Sequence, residues 1–330
     1  MRLISIKNNV GLALFLAICM LAGSFTPGKA SELGHYAPAL PRVRDFILPP
    51  PGAYFVVYNL YYTSDKLKDK DGNTIDSISV GPLEFDLDTD VDSYMAVPTF
   101  IYAPKDLKIL GGRYAALISQ PFGNTGFQAG LESATLPDFG LEIDESSWGL
   151  GDTYIRPLWL GWNLGRFDVG TSYGVYAPTG KYDADAADNV GLGMWTHELM
   201  GNVAFYLDEQ KGTALTLAGV YEIHHEKDDV DITPGSHLSI NAGISQYLPL
   251  GEKCLLELGL SGIGQWQMTR DSGSDARNKD VKDQVYMAGP ELGLMYLPWG
   301  AQVSLRWLRE FEAEDRFQGD FITLTAALSF

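Results

Sequence analysis

The sequence has little cysteine, few basic residues relative to acidic ones, and no long apolar run after its first 30 residues. Its two cysteines among 330 residues are Cys19 and Cys254. Cys19 lies in a stretch that we expect to be removed, so the mature chain cannot form an intrachain disulfide. The 24 basic residues are outnumbered by 42 acidic ones, which argues against a nucleic-acid partner, because nucleic acids select basic patches. A helical membrane protein is excluded as well, since a spanning helix needs about 18 or more apolar residues.

The first 30 residues have the features of a secretory signal peptide. Arg2 and Lys7 precede an apolar run over residues 10–22. Small residues at positions 28 and 30 occupy the two positions that a signal peptidase recognises before its cleavage site. The run is too short to cross a bilayer as a helix. We therefore expect export and cleavage after Ala30, which removes three of the 24 basic residues and leaves a net charge of −21. Such acidity suits a surface that meets divalent cations and lipopolysaccharide.

The last ten residues alternate in polarity as a strand with one apolar face does. The apolar face consists of Ile322, Leu324, Ala326, Leu328 and Phe330. Chain ends fray in most proteins, but the final strand of an outer-membrane barrel closes against the first and leaves no edge. An aromatic residue at the end of such a strand resembles the signal read by the barrel-assembly machinery. We therefore expect Phe330 to be an assembly signal.

Turn-forming residues divide the mature chain into twelve segments, mostly of 10–17 residues, with alternating or aromatic-rich character. Short breaks lie near 104–108, 163–165, 208–212, 249–253 and 298–300, and longer breaks lie near 64–91, 120–147, 178–190, 227–236, 271–283 and 315–320. Short and long breaks alternate strictly. This predicts an all-β fold, a transmembrane antiparallel up-and-down β-barrel of about 12 strands with short periplasmic turns and longer extracellular loops.

The alternation also predicts which side chains face the lumen. Arg306 stands between Leu305 and Trp307, which prefer lipid, and placing its charge on the lipid side near the bilayer centre would cost about 2–4 kcal/mol. We expect it to face inward and to pair with Glu291 or Glu310. The full set of expected lumen residues is Arg113, Arg156, Glu198, Glu222, Glu257, Glu291, Arg306 and Glu310. They form either a charged constriction that selects permeants or a salt-bridged interior that braces the barrel.

Arg156 is the least regular member of this set, because it shares a strand face with Leu158 and Leu160. Either a bulge intervenes or that face packs against something inside the barrel. Aromatic residues lie toward both ends of the predicted strands, as a membrane interface selects. Beside the short turns are Trp162, Tyr206, Tyr247, Tyr296 and Trp299, and toward the long loops are Trp148, Trp195, Tyr221, Trp266 and Tyr286.

Residues 31–52 contain five prolines and are not expected to form a strand, because proline removes a backbone donor. The segment is either a periplasmic tail or a plug in the lumen. The inward carboxylates would attract Arg42 and Arg44, and Phe46 is apolar, so we expect a plug. The expected organisation is therefore a signal peptide over 1–30, this segment over 31–52 and the barrel over 53–330.

Two patterns could indicate metal binding, but each has a simpler interpretation. His224 and His225 are adjacent, so a regular strand directs them to opposite faces and one ion cannot be held by both. Acidic residues alternate with other residues from Glu84 to Asp92. They could bind divalent cations at the outer surface or belong to a solvated loop. We expect no metal and no other cofactor.

His237, Ser239 and Asn241 share one strand face, which raises the possibility of lipolytic chemistry. An outer-membrane phospholipase family also uses a Ser/His/Asn site in a twelve-stranded barrel, but it presents that site to lipid. Here Leu238 and Ile240 take the lipid face, so the three polar residues are expected to face inward. We therefore expect no enzyme. A lipid-acting barrel enzyme and a non-transporting structural or adhesive barrel remain the alternatives.

Several stretches spread over the mature chain resemble one outer-membrane family. They are GDTY at 151–154, PLWLGW at 157–162, YAPTGKY at 176–182, WTH at 195–197, DEQKGTA at 208–214, ISQYLP at 244–249 and FEAEDRFQG at 311–319, with HYAP at 35–38 and PPPG at 49–52. The set resembles the family called the meta-pathway of phenol degradation proteins. The resemblance implies a barrel in the cell outer membrane, in contact with its lipids and lipopolysaccharide, and a channel or transporter for small hydrophobic or aromatic compounds. It implies no catalytic residues.

Overall fold

The computed structural model describes residues 4–5, 33–80, 83–133, 140–186 and 188–330, and the strands among them form one sheet. Apart from residues 4–5, the expected signal peptide lies outside the described residues, so its cleavage stays a prediction. In the described part of the chain, no helix has the length and apolarity that a membrane crossing requires. One 3-10 turn, Leu297–Trp299, is the helical element described.

Seventeen strands are described. In chain order they are β1 (Ile4–Ser5), β2 (Gly52–Ser64), β3 (Ser77–Val80), β4 (Leu83–Ala103), β5 (Lys108–Ile109), β6 (Gly112–Ser119), β7 (Phe122–Ser133), β8 (Gly140–Leu150), β9 (Thr153–Leu164), β10 (Phe167–Ala177), β11 (Thr196–Tyr206), β12 (Thr213–His224), β13 (His237–Leu250), β14 (Cys254–Gln267), β15 (Gln284–Tyr296), β16 (Ala301–Glu314) and β17 (Asp320–Ser329).

The sheet closes because its last strand pairs with its first long strand. β17 runs antiparallel to β2, from Asp320 opposite Thr63 to Ser329 opposite Tyr54. Elsewhere in the ring, β6 and β7 together form one strand of the wall, and β8 and β9 form the next. With β2, β4 and β10 to β17, the wall has twelve strands. The predicted transmembrane antiparallel β-barrel is confirmed.

The connections differ in length between the two ends of the barrel, as predicted. Short turns follow β9, β11, β13 and β15, whereas longer connections follow β10, β12 and β14 at the opposite end. We call these the short-turn end and the long-loop end. Gly165 and Gly251 adopt φ values of 72° and 70° in two of the short turns, a backbone region that glycine enters without steric cost.

Two predicted loops are partly wrong. Residues 120–147 are mostly strand, because β7 and β8 continue the wall beyond the level of the other strands, with β7 paired to β4 on one side and to β8 on the other. The predicted break at 64–91 likewise contains β3 and the first part of β4. A small core holds this extension together, formed by Ile78, Phe85, Leu87, Phe127, Ala129, Leu131, Leu141 and Ile143. The acidic run from Glu84 to Asp92 therefore occupies the exposed face of strand β4, not a loop. In these strands glycines and acidic residues lie between the apolar positions, and they made the two-residue period of a strand hard to recognise in the sequence.

The facing predicted for the later strands is confirmed on β16. Leu305 and Phe311 are 50% and 60% exposed, on the outer face that contacts lipid in a transmembrane barrel. Ser304, Arg306 and Glu310 are buried in the interior. The aromatic distribution needs a correction, because Tyr206 and Tyr247 face inward. The Tyr206 hydroxyl donates to Asp168 at 2.6 Å, and the Tyr247 ring packs beneath an arginine that lies in the lumen.

The irregularity around Arg156 is a β-bulge. Ile155 pairs with Val175 and Leu158 pairs with Tyr173, so two residues of β9 oppose a single residue of β10. A bulge of this kind changes the face on which the following residues lie. Arg156 and Trp159 consequently both face the interior, although three positions separate them.

Candidate functional site

The lumen contains the proline-rich segment, residues 33–51. Its side chains Ala39, Val43 and Leu48 are almost completely buried. Backbone hydrogen bonds from Leu40 to Ala37 and from Asp45 to Arg42, 3.0 and 3.1 Å long, fold it into successive turns. We call residues 33–51 the N-terminal segment. Its prolines prevent it from joining the sheet, so its backbone groups bond within the segment or to side chains of the wall.

Of the three plug candidates, Arg42 bonds within the segment itself. It donates to the Asp45 carboxylate at 2.6 Å, and Tyr58 of β2 donates to the same carboxylate at 3.1 Å. Burial disfavours ionisation of Asp45, but the adjacent Arg42 guanidinium and its hydrogen bonds hold the pKa of that carboxyl below its ordinary value. The expectation that wall carboxylates attract Arg42 is therefore replaced by an ion pair inside the segment.

Arg44, the second candidate, ties the segment to the short-turn end. Its guanidinium donates to the carbonyl oxygens of Lys211 and Gly212 at 3.0 and 2.6 Å and to Ser245 at 2.5 Å. Its Nε atom also lies 3.5 Å from the Glu257 carboxylate. Phe46, the third candidate, is buried in a cluster with Leu48, Val56, Trp159 and Met200.

Arg306 forms one of the two expected pairs and also holds the segment. Its Nε atom lies 3.7 Å from the Glu291 carboxylate. Its guanidinium donates to the carbonyl oxygen of Pro41 and, at 2.7 Å, to Ser261. Glu310 lies instead 3.7 Å from Arg316 of the loop after β16. Burial disfavours the charged form of Arg316, but the carboxylates of Glu310 and Asp283 raise its pKa above the ordinary value.

All eight predicted lumen residues are buried or partly buried, on the inner side of the wall. Those that contact the N-terminal segment are Arg113, Glu222, Glu257, Glu291 and Arg306. Arg156, Glu198 and Glu310 bond mainly to other wall and loop residues. The arrangement surrounds the segment and is not a ring around an open pore. A role of these residues in selectivity stays a prediction.

Beside the segment the lumen holds a cavity of about 330 Å³, bounded by β2, β4, β6, β9, β10 and β11. Its aromatic lining consists of Tyr36, Phe46, Tyr58, Tyr154, Trp159 and Tyr176, and its aliphatic lining includes Leu60, Met95, Val97, Ile101 and Leu117. A mostly apolar concave site with few polar groups is typical of small-molecule binding. Of these aromatic residues, the sequence placed Phe46 in the lumen, as a plug candidate, and the family resemblance included Tyr36, Tyr154, Trp159 and Tyr176 without a role. The bulge that turns Trp159 inward could not be placed from the sequence.

Three polar residues of the cavity lining converge on Glu198. Arg156 donates to its carboxylate at 3.0 Å, and the hydroxyls of Tyr154 and Tyr176 also donate to it. The two tyrosine rings stack with centroids 4.3 Å apart. Because Arg156 and Glu198 carry opposite charges, this pair makes one end of the cavity polar without adding net charge. Trp159 also lines the cavity, and its buried indole N–H has no hydrogen-bond partner among the described residues.

The adjacent histidines lie on opposite faces of the wall, as predicted. His224 is buried, and its Nε2 lies 3.1 Å from His237 Nδ1. His225 is exposed, and its Nε2 lies 3.0 Å from that of His197 on the outside. Each histidine therefore meets a partner from another strand, which the sequence did not indicate.

The serine, histidine and asparagine considered for lipolysis face inward but do not form a catalytic arrangement. The two ring nitrogens of His237 contact His224 and Asp283, at 3.1 and 3.0 Å. Ser239 accepts a hydrogen bond from Gln265 at 3.0 Å, and in the described part of the chain no hydrogen bond joins it to a histidine. The geometry gives Ser239 no general base.

Comparison with known proteins supports the fold and the resemblance. The family described as "Putative MetA-pathway of phenol degradation" matches residues 64–326. No curated protein sequence matches this chain. An outer membrane channel of Pseudomonas putida F1 superposes with a TM-score of 0.60 and 16% identity, covering 87% of this chain and 98% of that chain.

Two further solved structures are less similar. A FadL homologue of Pseudomonas aeruginosa has a TM-score of 0.37 and 9% identity, covering 91% of this chain and 94% of that chain. OpdK of the same organism, with vanillate, has a TM-score of 0.32 and 11% identity, covering 84% of this chain and 98% of that chain. These scores are too low for a comparison of sites. The likeness to the Pseudomonas putida channel shows the fold.

Proposed function

Because the chain belongs to the family described as "Putative MetA-pathway of phenol degradation", and because its barrel encloses an aromatic-lined cavity, we propose that it is an outer-membrane channel for small hydrophobic or aromatic compounds. It binds them in the cavity between the N-terminal segment and the wall. It has no covalent chemistry of its own. Export through the signal peptide brings it to the outer membrane, where lipids and lipopolysaccharide surround the barrel.

The cavity is the observation that supports this function best. Its volume of about 330 Å³ is at the small end of ligand pockets, which range over roughly 300–1,000 Å³. Its walls offer aromatic faces, against which a ring stacks favourably in offset or edge-to-face geometry. A single-ring compound satisfies both constraints.

The charge balance of the cavity favours a neutral permeant over an anion. Arg156 is already paired with Glu198 at 3.0 Å, so a carboxylate in the cavity would find no uncompensated positive charge there. A hydroxyl group fits better, because it can accept from the free indole N–H of Trp159 and donate to an oxygen at the polar end. Phenol-like compounds carry this combination of ring and hydroxyl.

The N-terminal segment acts as the plug of this channel. Its contacts with Arg113 and Arg306, which lie on separate parts of the wall, hold it in the lumen. A permeant that has entered the cavity can continue only when the segment shifts. The lumen charges that hold the segment therefore also set how readily the channel conducts.

The experiment is a binding titration on the folded, purified protein, with intrinsic tryptophan fluorescence as the signal. Phenol and benzoate are compared, and we expect saturable binding of phenol with weaker binding of benzoate. Trp159→Phe keeps an aromatic ring at this position but removes the indole N–H, so it should weaken phenol binding. The matched control is Trp299→Phe, because Trp299 is 74% exposed on the surface. Absence of saturable binding, or equal effects of the two substitutions, would contradict the proposed site.

A transport assay tests the channel itself. Liposomes containing the protein should take up phenol faster than protein-free liposomes, and a chain lacking residues 33–51 should transport faster still. The same preparations test the lipid-acting alternative. Phospholipid hydrolysis that disappears in His237→Ala would support an enzyme and count against the channel.

A further inference from the structure

Two histidines and a glutamate converge next to the cavity. His35 belongs to the N-terminal segment, and Glu222 and His224 lie at the long-loop end of β12. One nitrogen or oxygen atom of each lies within 4.8 Å of those of the other two. All three side chains are shielded from solvent. Their positions bring two imidazole nitrogens and a carboxylate oxygen into one buried cluster.

The carboxylate of Glu222 is only half satisfied. Its Oε1 atom accepts from the backbone N–H of Tyr36 at 2.8 Å. Its Oε2 atom is buried and has no hydrogen-bond partner among the described residues. Leaving a charged oxygen buried without a partner is costly, so the Glu222 carboxyl either keeps a proton or takes a cation at this atom.

The outer nitrogen of each histidine has an acceptor that fixes its proton. His35 Nε2 lies 2.8 Å from the Asp152 carboxylate. His224 Nε2 lies 3.1 Å from His237 Nδ1, and His237 Nε2 lies 3.0 Å from the Asp283 carboxylate. An ionised carboxylate can only accept, so His35 and His237 each carry their proton on Nε2. His237 Nδ1 is then an acceptor, and His224 must donate to it from Nε2.

When His35 and His224 are neutral, both inner nitrogens are therefore left with a lone pair. His35 Nδ1 and His224 Nδ1 each lie 2.8 Å from the hydroxyl oxygen of Thr196. That hydroxyl has a single proton and can donate to one of them only. The other nitrogen faces an oxygen with no proton between them. With both histidines neutral and Glu222 ionised, as metal binding requires, two imidazole lone pairs and an unpaired carboxylate oxygen meet without enough protons to satisfy them.

We propose that His35, Glu222 and His224 bind a divalent transition-metal ion of the Zn²⁺ class. Two imidazole nitrogens and one carboxylate oxygen form a donor set that such ions accept, with a fourth position for water or the Thr196 hydroxyl. The carboxylate behind His35 and the His237–Asp283 pair behind His224 match the outer hydrogen bonds that orient metal-binding histidines. The bound ion joins the N-terminal segment to β12.

The test is metal binding by the purified, folded full-length mature chain after removal of bound metal with a chelator. Zn²⁺ stoichiometry is measured by equilibrium dialysis and elemental analysis, and Co²⁺ is added as a spectroscopic probe of the ligands. We expect one equivalent of Zn²⁺ and a Co²⁺ visible spectrum typical of nitrogen and oxygen ligands. Glu222→Gln and His224→Ala should lose this site, and Asp152→Asn should weaken it about 10–100-fold.

The outer-face histidines supply the matched control. His197 and His225 also lie 3.0 Å apart, and a weak surface site there could be mistaken for the inner one. His225→Ala should keep the stoichiometric ion and its Co²⁺ spectrum. Loss of binding in His225→Ala with retention in His224→Ala would overturn the proposal, as would a wild-type protein that binds no ion.

Folding of each variant is checked by heat-modifiable migration in gel electrophoresis. His35→Ala tests the site with little risk of misfolding, because His35 lies in the N-terminal segment and not in the wall. It should remove the stoichiometric ion from a barrel that remains folded. Unchanged Zn²⁺ affinity in folded His35→Ala would also overturn the proposal.

Discussion

The guanidinium carbon of Arg44 lies 3.9 Å from the centroid of the Tyr247 ring. Arg44 belongs to the N-terminal segment and Tyr247 to β13, so this cation–π contact crosses from the plug to the wall. Such contacts contribute about 0.5–2 kcal/mol, with the larger values where the pair is shielded from water. Together with the carbonyl oxygens that accept from the same guanidinium, it fixes the segment at the short-turn end.

Arg44→Ala should therefore loosen the N-terminal segment. Loss of charge-assisted hydrogen bonds, each about 1.5–3 kcal/mol, should weaken docking by roughly 2–3 kcal/mol and raise the conductance of single channels in planar bilayers. Arg309→Ala is the control, since Arg309 is 59% exposed on the outer face. Equal conductance in wild type and Arg44→Ala would show that Arg44 does not hold the plug closed.

The histidine pair at 224 and 225 shows how far the sequence predicts the site. Strand alternation alone placed the two rings on opposite faces, and the structure agrees. Their partners could not be predicted, because Thr196 meets His224 only through the register of β11 on β12, which the connecting turn sets. A shift of one residue would have brought a lipid-facing residue to that position.

The fold was easier to predict than the cavity, for a related reason. The alternation of apolar and polar residues seen at Leu305, Arg306 and Trp307 recurs along every regular strand. A wrong facing at one residue therefore does not alter the predicted number of strands. The cavity depends instead on the bulge near Arg156 and on the path of a segment without regular structure. Neither follows a period, and both depend on contacts between residues distant in sequence.

Deletion of Phe330 should reduce assembly. Its backbone exchanges hydrogen bonds with Ala53 at the closure of the barrel, with its N–H donating at 2.8 Å, while its ring is 77% exposed. An exposed ring adds little packing, so we expect a larger loss in cells than in refolding from denaturant. The amount of heat-modifiable protein in outer-membrane fractions measures this. Wild-type amounts of the truncated chain would contradict an assembly signal.

Arg306→Ala should make the lumen favour cations. Arg306 compensates Glu291 at 3.7 Å and binds the Pro41 carbonyl oxygen, so the substitution leaves a carboxylate uncompensated and frees part of the segment. The reversal potential under a salt gradient should shift toward the value for cations. Arg309→Ala again serves as the control on the outer face. An unchanged cation-to-anion ratio in an assembled Arg306→Ala protein would reduce Arg306 to a bracing residue.

The ion pair between Arg42 and Asp45 should make docking of the N-terminal segment sensitive to acid. The pKa of Asp45 is lower in the folded protein than its ordinary value of 3.8. Its contribution to docking is therefore fully present above about pH 4 and is lost as the pH falls through the lowered value. Other carboxylates near the segment, such as Glu257 and Glu291, also gain protons in acid. The contribution of Asp45 must therefore be measured as the difference between the wild-type protein and a variant that lacks this carboxylate.

Asp45→Asn supplies that difference. At neutral pH it leaves the buried Arg42 unpaired, which should weaken docking by about 3–5 kcal/mol. Hydrogen exchange of residues 33–51, corrected for the intrinsic effect of pH, should be faster in the variant at pH 7. The two proteins should converge as the medium is acidified below pH 4, because wild-type Asp45 then becomes neutral as well. Asp71→Asn, in an exposed turn, should follow wild type at every pH. A constant difference between wild type and Asp45→Asn down to the most acidic condition would show that the charge of Asp45 does not hold the segment.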